Sequence, residues 1–131
     1  MTMAPSDLAT LLDEANHDPW ESVQAALACI DGQPHPRVGW LTTHLRATKH
    51  EYWTGIAAAT GTPAPPDDAG LTRLMAWEVE AARALGVATL DTPVEYAGRS
   101  FTVAGLLRVN ARHTAWHAGQ IAALAPTERR A

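Results

Sequence analysis

The chain has 131 residues, ten basic and fourteen acidic side chains, a net charge of −4 and 47% hydrophobic residues. That balance fits one globular domain with its own core, and no apolar run approaches the ~20 residues that cross a bilayer. An acidic chain with no basic tract is poorly suited to holding phosphate backbones, so nucleic acid is not an expected partner.

Met1 to Leu12 has no basic stretch ahead of an apolar one and carries Asp7, so no secretory leader is expected. Abundant alanine and scarce β-branched runs favour helix throughout. Asp7 to Ala15 reads as a first helical piece with Ser6 as N-cap. Asn16-His17-Asp18-Pro19 interrupts it. Asp18 then reads as a new N-cap, with Pro19 first in the helix and Glu21 completing a capping box. Trp20, Val23, Leu27 and Ile30 make an apolar stripe, and Asp31-Gly32 ends it. Cys29, the only cysteine, lies off that stripe and reads as packing rather than nucleophile. It excludes an internal disulfide and points to a reducing, cytoplasmic setting.

Gln33-Pro34-His35-Pro36 is a turn. Arg37 to Thr60 is a long second helix, ended by Gly61 and a proline-rich loop. Asp67 or Asp68 caps a third helix, which runs to about Leu85 on the stripe Leu71, Leu74, Met75, Glu78, Ala82 and Leu85. Val87 to Phe101 is the least regular stretch, a loop or short extended piece around Val94-Glu95-Tyr96 and the Ala97-Gly98-Arg99 turn. Thr102 to Leu124 is the last helix. Four main helical segments joined by short loops predict an all-α chain, a four-helix bundle forming one domain over residues 1–131. Its core spans about 7–124, with 125–131 as a tail.

Six histidines need an explanation. At ~100° per residue, His113 and His117 lie about 40° apart on the last helix, on the face shared by Leu106, Gln120 and Leu124. An i, i+4 pair suits two nitrogen ligands to one metal ion, yet among six histidines such a pair also arises by chance, so a third ligand is required. His44 lies at the border of the second helix's apolar stripe (Val38, Leu41, Leu45, Tyr52, Ile56), with Trp40, Thr48 and Glu51 on its own face. A border position suits an open, catalytic site. Thr48 or Glu51 would serve as partner or nearby base; their ordinary roles are a helix hydroxyl and a solvated charge.

His50 points about 120° away from His44, and His17 and His35 fall in turns, capping or exposed. Glu78, a carboxylate inside an apolar stripe, reaches either solvent at a bundle end or the same cavity as the histidines. Gln120, one turn past His117, orients a ligand or fixes a helix contact. Glu51, Glu78 and Gln120 are thus the candidate proton handlers and orienters. Rival motifs fail: there is no H-E-x-x-H, a single Glu-x-x-His where di-iron bundles need two, no Cys-x-x-Cys, no glycine-rich phosphate loop and no G-x-S-x-G. Trp53 and Trp77 read either as exposed aromatics of a subunit interface or as packed under loops. Arg108, Arg112 and the Arg129-Arg130 pair read as a solvated face and a tail.

The string His113-Thr-Ala-Trp-His117-Ala-Gly-Gln120-Ile121 closely resembles the last-helix signature of the DinB-like (YfiT-like) superfamily. Trp40-Leu-Thr-Thr-His44-Leu-Arg-Ala-Thr48-Lys-His-Glu-Tyr-Trp53 resembles its second-helix histidine region, and Asp18-Pro19-Trp20 and Gly61 sit where that pattern puts them. The likeness runs from about Leu8 to Leu124. It implies an up-down-down-up four-helix bundle and a divalent metal, usually zinc or nickel, held by His44, His113 and His117. It also implies frequent homodimers and, among relatives, transferases and isomerases that use a low-molecular-weight thiol such as mycothiol or bacillithiol. The expectation is a metal site activating a thiol or water, in a transferase or hydrolase acting on a small molecule. The alternative is a non-catalytic dimeric bundle with a structural or vestigial metal site.

Overall fold

The computed structural model describes residues 3–32 and 35–126. Its elements are α1 (Pro5–His17), α2 (Val23–Ile30), α3 (Pro36–Thr60), α4 (Leu71–Arg83), a 3-10 turn (Ala88–Asp91), strands β1 (Pro93–Tyr96) and β2 (Arg99–Thr102), and α5 (Val103–Ala123). The chain is mostly helical, as the composition predicts, with a small hairpin in its least regular stretch. Gln33, Pro34 and the Arg129-Arg130 tail lie outside the described residues.

Local chemistry sets the helix ends. α1 starts at Pro5 rather than after Ser6, and the Asp7 carboxylate accepts the Ala4 N–H at 2.9 Å. The capping box expected at Asp18 does not form. The Asp18 carboxylate instead accepts the Trp20 N–H at 3.0 Å, a local turn that competes with helix for the same oxygen. Glu21 then takes a left-handed φ of 57° that no helix tolerates, so α2 waits until Val23. Ser22 is its cap, accepting the Ala25 N–H at 3.1 Å. Trp20 is thereby turned out to solvent instead of opening the apolar stripe.

α3 opens with Pro36 in its first turn, and the His35 ring caps it by accepting the Arg37 N–H at 3.1 Å. It ends at Gly61, whose φ of 75° suits glycine. α4 begins after Gly70 and not at Asp67 or Asp68. Asp67 and Asp68 form a turn instead, which the Arg46 guanidinium ties down by donating to the carbonyls of Asp67 and Ala69, at 2.6 and 2.9 Å. β1 and β2 pair antiparallel, with Tyr96 opposite Arg99. The two-residue turn between them puts both Ala97 (φ 52°) and Gly98 (φ 76°) at positive φ, the geometry that matches hairpin twist.

In the bundle α1 and α3 lie on opposite sides, each packed against both α4 and α5, while α2 rests on α5. The core has two apolar clusters. One gathers Leu8, Leu12, Ile56, Leu106 and Leu107; the other gathers Val23, Ile30, Leu41, Leu45 and Ile121. On α3 and α4 the passage from one to the other falls at Lys49 and Glu78, both fully buried. Glu78 Oε2 accepts from Asn16 Nδ2 at 2.7 Å and from Lys49 Nζ. Its Oε1 accepts from Asn110 Nδ2 at 2.8 Å and from the Trp53 indole at 2.9 Å. Lys49 also donates to Asn110 Oδ1 at 2.9 Å. Glu78 is therefore sealed inside the bundle, away from any bundle end.

Trp53 is buried, and its ring meets the half-buried Trp77 edge-on, so neither is the exposed aromatic considered above. The exposed indoles are Trp20, Trp40 and Trp116. Cys29 is free and buried in the second apolar cluster, as packing requires. No described helix is long and apolar enough to cross a membrane.

Candidate metal centre

α3 and α5 pack side by side, which brings His44 of one against His113 and His117 of the other. One ring nitrogen of each lies within 4.8 Å of the other two, and all three residues are half-buried. His113 Nε2 is 3.2 Å from His44 Nε2 and 3.0 Å from His117 Nε2. Three nitrogens placed tetrahedrally about 2.1 Å from one ion would stand roughly 3.4 Å apart, close to the two separations that His113 makes. One ring N–H can serve only one neighbouring nitrogen, whereas a cation serves all three.

The surroundings orient the rings. Gln120 Oε1 lies 2.7 Å from His117 Nδ1, so that nitrogen donates and the Nε2 lone pair faces the other rings. Trp40 lies parallel to His44, 5.0 Å away with 7° between planes. Tyr52 stands perpendicular to His113, 6.2 Å between centroids.

Burial, the His117 ring, the His44 ring and the buried Lys49 together push His113 down to about 4. His44 is also lowered, by burial first and then by His117 and Arg37, with Glu51 pulling the other way. Both rings are thus neutral at neutral pH, the state a metal ligand needs.

The other expected residues disperse. Glu51 is exposed and its Oε2 accepts the Tyr96 hydroxyl at 3.1 Å. Tyr96 in turn packs on Tyr52, 4.8 Å between ring centroids. Burial, then the hydrogen bond to Glu51, raises the Tyr96 phenol far above its usual range, so it stays a donor. Thr48 is a helix hydroxyl, donating to the carbonyls of His44 and Leu45. Glu78 belongs to the buried layer with Lys49. His17 pairs with Asp13 at 2.8 Å and His50 with Asp67 at 3.0 Å.

Reasoning from the sequence missed Lys49, Tyr96 and Arg37. Lys49 had a signal, since it lies on the apolar stripe between Leu45 and Tyr52. Tyr96 had none, because only the hairpin carries it to α3. Compared with models of known families, with curated proteins and with solved structures, the chain matches none of them.

Proposed function

We propose that this chain is a metal-dependent enzyme of the DinB-like (YfiT-like) kind, an up-down-down-up bundle whose His44, His113 and His117 hold one divalent cation, zinc or nickel. The observation that carries the reading is the convergence of three ring nitrogens from two helices within 4.8 Å. Held by three neutral imidazoles, such a cation would keep its charge and would supply acidification of a bound thiol or water, for zinc to a pKa of ~7 in the case of water.

The chain's own residues divide the remaining work. Gln120 holds His117 in the tautomer that presents Nε2. Trp40 and Tyr52 fix the planes of His44 and His113. Glu51, held by Tyr96 outside the cluster on the same face of α3 as His44, would be the carboxylate to receive a proton given up there. The reaction is a transfer or hydrolysis on a small molecule, with a low-molecular-weight thiol such as mycothiol or bacillithiol as cosubstrate. The setting is cytoplasmic and the chain a homodimer. A second reading, a non-catalytic dimeric bundle around a structural or vestigial metal site, draws on the exposed indoles of Trp20 and Trp116.

A panel of small electrophiles and thiols, tested on metal-loaded chain, separates the two. The enzyme reading predicts turnover that a chelator abolishes, that zinc or nickel restores, and that His113→Ala lacks. The scaffold reading predicts that chelation lowers stability while no turnover ever appears.

A further inference from the structure

The rim of the histidine cluster is polarised along α3. Arg37, Trp40, His44, Thr48 and Glu51 recur at spacings of three, four, four and three, which places them on one helix face. The Arg37 guanidinium lies over the Trp40 ring, 4.5 Å from its centroid. Trp40 in turn lies flat on His44 at 5.0 Å. A permanent cation is therefore held two stacking steps from a ligand ring. Arg37 is exposed and pairs with no carboxylate among the described residues. Trp40, its platform, is 51% exposed and contributes little to the core. Beyond His44 in the other direction stands the opposite charge, Glu51, held in place by Tyr96.

Stacking uses the face of a guanidinium and leaves its edge donors free for a carboxylate. An anionic group on a molecule tethered at the cluster is drawn toward Arg37 and repelled from Glu51. Among the described residues, Arg37 therefore has its charge unspent, its orientation set and its neighbour across the cluster of the opposite sign.

We propose that Arg37 determines specificity: it anchors the carboxylate of an anionic substrate or cosubstrate whose reacting atom sits at His44, His113 and His117. This rests on the metal-centre reading above and adds to it the charge of the ligand and the direction in which it lies.

The test uses the full chain loaded with cobalt(II), whose absorption reports changes in ligands at a histidine site. It is titrated with 6-mercaptohexanoate and with 6-mercaptohexanol, two thiols that differ only at the far end. The unaltered chain is expected to prefer the carboxylate thiol, and added salt to narrow that preference. Arg37→Gln is expected to weaken 6-mercaptohexanoate about fivefold, the scale of an exposed ion pair, and to leave the alcohol within about twofold. Arg37→Lys should retain part of the preference, since it keeps the charge and loses the fork. Equal weakening of both thiols marks a structural role through Trp40 and overturns the proposal; so does no weakening of either. If the unaltered chain takes up no cobalt, the metal-centre reading falls and this one with it. Cobalt uptake without discrimination between the thiols overturns this one alone.

Discussion

His113 carries a measurable consequence even without a metal. In the unfolded chain its imidazole takes up a proton near the ordinary 6.5; in the folded, metal-free chain it does so only near 4. Between those values the unfolded state binds more protons, so acidification from pH 7 toward 4 withdraws stability. His113→Asn lacks this contribution, and its denaturation midpoint should fall less steeply over the same interval. Parallel slopes for the two proteins would show that His113 is not buried as described. Gln120 acts through its neighbour: Gln120→Ala releases His117 Nδ1 and should lower metal affinity by roughly 10- to 100-fold in chelator competition, as removal of such supporting bonds does elsewhere. These two side chains also show how far residue-level reading extends. The helical spacing of His113, His117 and Gln120 places them on one face without any fold. Which nitrogen Gln120 touches depends on rotamers that spacing does not determine.

Among the elements, α3 and α4 are joined at their middles by a buried ion pair. Removing one partner leaves the other charged or unpaired in the core, a loss of about 3–5 kcal/mol. Glu78→Met or Lys49→Met alone should therefore be severely destabilised in denaturant unfolding. The double substitution should cost less than the sum of the two single ones, because no orphan charge remains. The hairpin makes a milder prediction. Ala97 sits at φ 52°, where an alanine side chain is strained and asparagine is at ease. Ala97→Asn should stabilise by roughly 0.5–1 kcal/mol, read as a raised unfolding midpoint.

Both elements mark where the sequence was only partly legible. The stripe Leu41, Leu45, Tyr52, Ile56 shows that α3 is amphipathic, and Lys49 lies on it. A single lysine on an apolar stripe means little until a carboxylate on another helix is known to face it. Glu78, equally out of place on α4, is that carboxylate. The start of α2 departs from its sequence pattern for a related reason: Asp18, Pro19 and Glu21 satisfy a capping rule, but the Asp18 carboxylate has a nearer donor in the Trp20 N–H.

At the scale of the molecule, the turn after Asp18 splits the first of four expected segments and gives five α-helices, but helix content and the inward face of the last helix follow from alanine content, proline and glycine breaks and 3.6-residue periodicity. The pairing of α3 with α5 does not, since no local pattern states which helices are neighbours. That pairing turns three separate histidines into one cluster, and if the cluster holds a cation the whole fold gains from it. A ligand at a hundred times its dissociation constant adds about 2.7 kcal/mol of stability, so unfolding of the loaded chain should depend on metal concentration. Metal content measured on the purified, loaded and desalted chain, beside His113→Ala, decides whether the three rings bind a cation. About one equivalent of zinc or nickel per chain is expected, lost in the variant; less than roughly a tenth of an equivalent in the unaltered chain would contradict a three-histidine site.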